Sequence, residues 1–448
     1  MFFTRYKNEY RSISTLGIPI IIGQVGTIVL SFADTIMIGH HSTPELAAAA
    51  FVSNLFAIGL LIAMGFAYGM TPVVGSCFGR DEYGRIGSVV KNALTANTLV
   101  ALLLVAAYSA LYANLDRLGQ PEELLPYMRP YFIVNLLSMP FVCWFNVFKQ
   151  TADGTTDTKM PMWILICGNI LNIFGNWLLI YGHCGLPELG LLGAGISTLL
   201  SRVVMTVAIA LIFFTSGRYE KMRMAFRNSS NNKADFIRLN KMGWPLSLQM
   251  SMEGGAWSLA SVIVGWIGAL PLAAHQVMLS ISQLFYQFYY AIGASVAIRV
   301  SLFIGQKDYQ RIPATAWAGY HISVLLALCM SAIVWPLRHE IGWLFTDSAD
   351  VANMVAGVVV PLVIYQFADS LQCVFSNTLR GMSYVKPMVL VAFIAYFVIS
   401  LPLAYFFGIV LKGSLVGVWA SFPFGLTASA IMYYSFYRHR LHMLMKSN

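Results

Sequence analysis

The chain has 448 residues, of which 58% are hydrophobic and only 10% are charged, and its mean hydropathy is +0.68. A soluble domain carries about a quarter of its residues as charges, so this composition excludes an ordinary soluble enzyme. The net charge is +9, but the 28 Lys and Arg form no dense basic patch beside stacking aromatic residues, which argues against a nucleic-acid partner.

Apolar runs long enough to cross about 30 Å of hydrocarbon predict an all-α polytopic membrane protein. The twelve predicted spans are 14–39, 46–76, 87–114, 126–149, 161–182, 189–215, 241–267, 272–304, 312–336, 351–379, 386–408 and 413–437. Prolines such as Pro19 and Pro245 are tolerated inside membrane helices because neighbouring helices satisfy the backbone groups that they free. The first residues lack the features of a cleaved signal peptide, so we expect span 1 to remain in the protein.

Lys and Arg are concentrated on one side of the predicted membrane domain. Twelve spans place both termini on the same side, and the loops and flanks of that side hold 22 of these residues. The opposite side holds only Arg117, Arg129, Arg338 and Lys412. The positive-inside rule therefore predicts that both termini and the 216–240 loop are cytoplasmic.

The two halves of the chain contain an internal repeat at a nearly constant sequence offset. LGIP at 16–19 matches MGWP at 242–245, and FGRDEYGRI at 78–86 matches IGQKDYQRI at 304–312. Because each half has six spans, both halves enter the membrane in the same orientation. The repeat predicts two six-helix lobes related by a pseudo-two-fold axis along the membrane normal.

The lobe boundaries follow from the repeat. We predict an N-lobe at 1–215, a cytoplasmic linker loop at 216–240 and a C-lobe at 241–448. Two such bundles suit alternating access, in which they rock about a cleft between them. The alternative is a duplicated bundle that serves as a scaffold or receptor, but such a protein has little reason to keep acids inside its spans.

Three acids lie inside predicted spans: Asp34 in span 1, Glu253 in span 7 and Asp369 in span 10. An ionised acid at the bilayer centre costs about 3 kcal/mol, so it normally faces the bundle interior and has a function. Burial favours the protonated carboxyl group and a bound cation favours the carboxylate, so such a group can exchange a proton for a cation. This is the elementary chemistry of an antiporter. The alternative is a neutral acid that only holds helices together.

Helical spacing gives two of these acids neighbours. Tyr365 precedes Asp369 by four residues and Gln249 precedes Glu253 by four, so each pair lies on one helical face. The phenol oxygen of Tyr365 and the carboxylate of Asp369 therefore converge on one position, where both can bind the same cation.

Span 5 offers neutral oxygen ligands, since Asn172 and Asn176 are also four residues apart. They can join Asp34 around Na⁺, which like other hard cations prefers oxygen donors. Interhelical hydrogen bonding is an equal alternative for this pair. Arg202, midway through span 6, is either the partner of a buried acid or a gate that repels cations, and the sequence does not choose between these.

Span 8 is rich in aromatic residues, including Phe285, Tyr286 and Tyr289. Such rings can line a cavity for hydrophobic cations through cation–π contacts, and packing against helices and lipid is an equal alternative.

The six cysteines show no zinc-site spacing, and we interpret them as packing residues. The chain has no G-x-x-x-x-G-K-[ST] phosphate loop. We therefore expect no cofactor beyond a coupling ion, Na⁺ or H⁺.

In these segments the sequence resembles the multidrug and toxic compound extrusion (MATE) family, in its NorM-like branch. The segments are SFADTIMIGH at 31–40, LNIFGNWLLIYG at 171–182, QMSMEGGAWS at 249–258, LAAHQVMLS at 272–280 and YQFADSLQCVFSNTLRG at 365–381. The resemblance implies twelve helices in two lobes and export of hydrophobic, often cationic, compounds in exchange for inward Na⁺ or H⁺. We expect a monomer whose partners are these small molecules and membrane lipid.

The resemblance also implies roles for particular residues. The positions that look like the family's C-lobe cation or proton site are Glu253, Asp369 and Tyr365. The positions that look like its N-lobe site are Asp34, Asn172, Asn176 and Thr198. Gln249, Phe285, Tyr286 and Tyr289 are expected to line the substrate cleft. Arg202 departs from the family's pattern and is expected to alter the ion preference of the N-lobe.

Two other functions remain open at this point. A flippase of lipid-linked sugars on the same fold needs Arg or Lys in its cleft to hold a pyrophosphate, and the spans offer only Arg202 and Arg299. An intramembrane enzyme needs paired catalytic residues at one depth, for which Asp34 and Asp369 are the available acids. A measured separation of these two carboxyls well beyond hydrogen-bonding distance excludes the enzyme.

Overall fold

The structure is a computed structural model that describes residues 2–446, and within that range it is helical with no strand. Its helices are α1 (Phe2–His41), α2 (Thr43–Tyr68), α3 (Met70–Gly79), α4 (Tyr83–Ala113), α5 (Leu125–Gly154), α6 (Lys159–Ile180), α7 (Gly190–Thr215), α8 (Glu220–Asn228), α9 (Lys233–Ile267), α10 (Ala269–Gln306), α11 (Arg311–Val334), α12 (Ala349–Gly381), α13 (Lys386–Ala392), α14 (Leu401–Tyr405) and α15 (Ser414–Lys446). One π-helical segment, Phe393–Ser400, lies between α13 and α14, and a second, Phe406–Val410, follows α14. The predicted all-α class is confirmed.

Among residues 2–446, eleven stretches are long and apolar enough to cross a membrane. They coincide with eleven of the predicted spans, with α2 and α3 forming the second and Lys386–Val410 forming the eleventh. The remaining predicted span, 241–267, lies in α9, whose 35 residues give a length of about 52 Å at 1.5 Å per residue. This helix is not among the eleven stretches, and its predicted span carries the polar residues Gln249 and Glu253.

The chain forms two compact units, whose boundaries fall inside helices. The N-unit runs from Ile22 to Ser247, and the C-unit combines the chain up to Ile21 with the chain from Leu248 onward. The first half of α1 therefore belongs to the C-unit, and the first half of α9 belongs to the N-unit. The boundary residues Ile22 and Leu248 occupy equivalent positions of the repeat. The linker loop predicted at 216–240 is part of the N-unit.

Stacked aromatic rings form the centre of the N-unit. Phe56 stacks on Tyr108 with ring centroids 4.5 Å apart, and Phe132 meets Phe56 edge-on at 4.8 Å. The hydroxyl group of Tyr108 donates a hydrogen bond to the carbonyl of Leu55 over 2.8 Å. A buried phenol needs such an acceptor, and here the bond joins α4 to α2.

A buried histidine and tryptophan join three helices of the C-unit. The indole nitrogen of Trp419 donates to His275 Nδ1 over 3.0 Å, and His275 Nε2 lies 3.1 Å from the hydroxyl of Ser261. Because indole only donates, Nδ1 is the acceptor and the neutral ring carries its proton on Nε2, from which it donates to Ser261. His275 therefore connects α9, α10 and α15 and is placed as a structural residue.

Two glycines of α9 differ in the space around them, which gives a test of the close packing in the N-unit. A Cβ on Gly243 would lie 2.6 Å from the ring of Phe66, whereas nothing lies within 4 Å of a Cβ on Gly255. We expect Gly243→Ala to lower stability by about 1–3 kcal/mol through overpacking. At about 2–4 °C per kcal/mol the apparent melting temperature in detergent falls by several degrees.

The matched control is Gly255→Ala, which should leave the melting temperature unchanged or raise it, because alanine favours the helix over glycine. Equal melting temperatures for the two variants would contradict the packing described for Gly243.

Candidate functional site

In the N-unit a polar cluster surrounds Asp34, which lies in the second half of α1. The amide nitrogen of Asn176 donates to Asp34 Oδ1 over 2.5 Å. One of the two polar atoms of the Asn172 side-chain amide lies 3.1 Å from both Asp34 Oδ1 and Asn176 Nδ2. The other polar atom of this amide lies 3.1 Å from Thr198 Oγ1. The structure thus brings together all four residues predicted for this site, because Asn172 and Asn176 are one turn apart on α6 and face α1 and α7.

One oxygen of this cluster has no hydrogen-bond donor. Asn176 is fully buried, and its Oδ1 has no partner among residues 2–446. A buried acceptor left unpaired costs about 1–3 kcal/mol, so its presence beside a carboxylate points to a ligand. Carboxylate, amide and hydroxyl oxygens form the donor set that a small hard cation prefers.

Arg202 adds a positive charge to the same region of the N-unit. It follows Thr198 by one turn of α7, and its Nη1 donates to the hydroxyl of Ser138 on α5 over 2.5 Å. Both interpretations of Arg202, as the partner of a buried acid and as a gate that repels cations, stay predictions.

In the C-unit a chain of hydrogen bonds leads to Glu253. The hydroxyl of Tyr396 donates to Glu253 Oε1 over 2.9 Å, and it accepts a hydrogen bond from Gln372 Nε2 over 3.1 Å. The hydroxyl of Ser429 donates in turn to Gln372 Oε1. The four residues come from α9, the π-helical segment after α13, α12 and α15, so the orientation of the carboxylate depends on four parts of the C-unit.

Asp369 lies in the same part of the C-unit and is 1% exposed. The thiol of Cys373 donates a hydrogen bond to its Oδ1 over 3.9 Å. Its Oδ2 is buried and has no hydrogen bond of normal geometry to any described residue. Tyr365, one turn earlier on α12, accepts a hydrogen bond from Ser282 over 3.3 Å. The three residues predicted for the C-lobe site therefore lie in one unit, and Asp369 supplies a second buried oxygen without a hydrogen bond among the described residues.

The four residues predicted to line the substrate cleft differ in burial and in their contacts. Phe285 and Tyr289 are buried in the core of the C-unit, where the hydroxyl of Tyr289 donates to Gln366 Oε1 over 2.8 Å. Tyr286 stacks on Tyr290 with ring centroids 6.0 Å apart. Gln249 is partly exposed. Packing therefore accounts for Phe285 and Tyr289.

Sequence reasoning missed several residues of these clusters. Gln372 lies three residues after Asp369, and Ser201, whose hydroxyl is 3.4 Å from Asn172 Nδ2, lies three residues after Thr198. Extending the search by one helical turn from each predicted site residue would have found both. Tyr396 gives no such signal, because it reaches Glu253 from a π-helical segment, a geometry that the sequence pattern does not reveal.

The described residues contain no group of three or more His, Cys, Asp or Glu side chains able to hold a metal ion. Both clusters instead combine one or two acids with neutral oxygens. Such a set suits a monovalent cation or a proton better than a tightly bound transition metal, which prefers imidazole or thiolate ligands.

Comparison with known proteins gives a family match and structural matches. A family model described as MatE matches residues 19–178 and 245–406, and these two matches begin at the equivalent prolines of the repeat, Pro19 and Pro245. The fold is similar to that of a multidrug resistance MATE family transporter of the MOP superfamily in an outward-facing conformation, with a TM-score of 0.90 and 19% identity over 98% of this chain and 97% of the other.

Two further solved structures share the fold. The eukaryotic MATE transporter AtDTX14 has a TM-score of 0.87 and 17% identity over 99% of each chain. A MOP superfamily transporter from Pyrococcus furiosus has a TM-score of 0.88 and 19% identity over 98% of this chain and 97% of the other.

The hydrogen bonds of Tyr396 give a prediction on stability. Tyr396→Phe leaves Glu253 without its donor and Gln372 without its acceptor, so we expect a loss of about 1–3 kcal/mol. The apparent melting temperature should fall, whereas Tyr405→Phe, at an exposed position of α14, should leave it unchanged.

A double variant separates the bond from general packing. Gln372→Leu combined with Tyr396→Phe should lower stability by less than the sum of the two single changes, because each change removes the same bond. Additive losses would show that the two side chains do not interact.

Proposed function

Because this chain belongs to the MatE family, we propose that it is a secondary active antiporter that exports hydrophobic, often cationic, compounds in exchange for inward Na⁺ or H⁺. The family match covers both halves of the chain, and the apolar helices make it a multi-pass membrane transporter. The observation that carries the proposal is the pair of oxygen-rich clusters, one in each unit, each with an acid inside a span and an unpaired buried oxygen.

The clusters suggest what the coupling ion does. A cation bound at Asp34 or at Glu253 and Asp369 offsets the cost of holding carboxylates away from water, and a proton does the same by neutralising one of them. Transport follows when the loaded acid favours one conformation of the lobes, because a ligand shifts such an equilibrium only by its difference in affinity for the two states. Alternating access then moves ion and substrate in opposite directions.

The acids also explain the proposed class of substrate. A cationic compound competes with Na⁺ or H⁺ for the same negative charge, so entry of the ion releases the substrate. Tyr286, whose ring stacks on Tyr290, supplies an aromatic face for such a cation. We propose that the carrier is a monomer in the bacterial cytoplasmic membrane, and the charge asymmetry of its loops supports an orientation with both termini inside.

The structure weakens both alternative functions. A flippase needs free cationic groups for a pyrophosphate, but Arg299 is ion-paired with Glu9 at 3.2 Å and Arg202 is bonded to Ser138. An intramembrane enzyme would require Asp34 and Asp369 to act together. They belong to different units, and each lies in its own polar cluster.

Replacing the acids tests the proposal directly. We expect Asp34→Asn and Asp369→Asn each to lower the initial rate of efflux of a fluorescent cation at least about tenfold, because the amide neither binds a proton nor offers a full charge to Na⁺. Asp116→Asn, in an exposed ion pair with Arg129, is the matched control and should transport at the wild-type rate.

The driving ion is identified in proteoliposomes in which a Na⁺ gradient and a pH gradient are imposed separately. One of them should drive efflux of the wild-type protein and neither should drive the Asp369→Asn variant. Failure of both gradients to drive the wild-type protein would exclude antiport.

Arg202 gives a prediction on ion affinity. Arg202→Gln removes a positive charge that competes with the ion at Asp34, so the ion concentration for half-maximal transport should fall about tenfold, equivalent to about 1.4 kcal/mol. Arg202→Lys keeps the charge and should retain the wild-type value. An unchanged ion requirement in Arg202→Gln would show that this guanidinium does not act on the N-unit site.

A further inference from the structure

We propose that Glu9 and Asp235 are positioning residues for coupled transport. Each fixes the first half of a helix in one unit, while the second half of the same helix carries a site acid in the other unit. The inference rests on the proposed antiport function and deepens it, because it names how a change at the ion site is passed along the chain.

Glu9 anchors the first half of α1 in the C-unit. The residue is 5% exposed, and its carboxylate accepts hydrogen bonds from Arg311 at 2.8 Å, Thr315 at 2.9 Å and Arg299 at 3.2 Å. One turn of helix is thus bound to both α10 and α11. The hydroxyl of the next residue, Tyr10, lies 2.9 Å from His321 Nδ1 and adds a second bond to α11.

Asp235 occupies the corresponding place in the N-unit. It is also 5% exposed, and its Oδ1 lies 3.6 Å from Arg85 Nη2. Glu9 and Asp235 stand at equivalent positions of the repeat, and so do Arg311 and Arg85. Each repeat therefore contains both the acid and the arginine. The acid of the first repeat pairs with the arginine of the second repeat in the C-unit, and the acid of the second repeat pairs with the arginine of the first repeat in the N-unit.

The glycines of the repeated LGIP and MGWP segments also pack against residues of the opposite repeat. A Cβ on Gly17 would lie 3.1 Å from Ser295 and 3.2 Å from Ile292, so the first half of α1 packs closely on α10. Gly243, the equivalent of Gly17, packs in the same way on Phe66, the equivalent of Ile292. Each exchanged half-helix is therefore held by an ion pair and by close backbone packing.

These anchors connect the two units through continuous helices. On α1 the anchor Glu9 belongs to the C-unit and the ion-site acid Asp34 to the N-unit; on α9 the anchor Asp235 belongs to the N-unit and the ion-site acid Glu253 to the C-unit. Each helix runs without a break from its anchor to its acid, although Pro19 in α1 and Pro245 in α9 each remove one internal hydrogen bond on the way. A shift at either ion site is passed along this helix to the anchor in the other unit.

The charge of the anchor, rather than its mere bulk, is what this inference requires. Glu9→Gln and Asp235→Asn keep the shape of the side chain and remove the charge, so they loosen the ion pair. Glu9→Asp and Asp235→Glu keep the charge and serve as conservative rescues. Glu9 binds two arginines and a threonine, whereas the ion pair found for Asp235 among the described residues is the longer one with Arg85, so the Glu9 variant should show the larger effect.

The experiment measures, in proteoliposomes, the substrate exported per ion taken up, together with substrate affinity and apparent melting temperature. We expect Glu9→Gln to lower this coupling ratio at least about fivefold, the lower end of typical coupling between sites, with substrate affinity unchanged. Glu9→Asp should restore most of the ratio. Asp116→Asn, which breaks an exposed pair, should leave it unchanged.

A second measurement does not depend on transport. Amide hydrogen exchange in residues 6–18 should respond to Asp34→Asn in the wild-type background and not in the Glu9→Gln background. A wild-type coupling ratio in both Glu9→Gln and Asp235→Asn, or a loss confined to melting temperature, would overturn the positioning role. Wild-type protein that transports with neither ion gradient would instead overturn the antiport function and the role with it.

Discussion

The cost of holding a charge away from water is the constraint on which this structure depends. Each acid inside the spans has a partner from its surroundings: Asn176 for Asp34, Tyr396 for Glu253 and Cys373 for Asp369. These partners satisfy only part of each cluster, since Asn176 Oδ1 and Asp369 Oδ2 remain unpaired. An incompletely satisfied acid is poised to bind a cation or a proton, because either one removes a penalty that the protein leaves in place.

Much of the fold is readable from the sequence, because the bilayer imposes a length and a composition on every span. The twelve helices, their two groups of six and the positions of the three acids follow from apolar runs and from one repeat offset. The residues around Asp34 were also predictable, since Asn172 and Asn176 share a helical face and the family resemblance adds Thr198. Residues on regular helices near a charged group are the ones that spacing can find.

The remaining features depend on geometry that residue spacing does not encode. Tyr396 reaches Glu253 because a π-helical segment shifts the register of its helix. The exchange of half-helices between the units lies within α1 and α9, which continue without interruption through Ile21 and Ser247. A hydropathy pattern marks where a helix crosses the membrane, but the packing partner of each half follows from tertiary contacts such as those of Glu9 and Asp235.

The two repeats have some functional residues at equivalent positions and others at positions that differ. Glu9 and Asp235, with Arg311 and Arg85, stand at equivalent positions, whereas the positions equivalent to Asp34 and Glu253 are Ala260 and Thr27. The two repeats therefore share the acid–arginine pair that fixes the first half of a helix, but the acids inside their spans stand at different positions. Under the proposed antiport function, two unlike acid clusters that share one kind of anchor allow each lobe to respond to a different occupant.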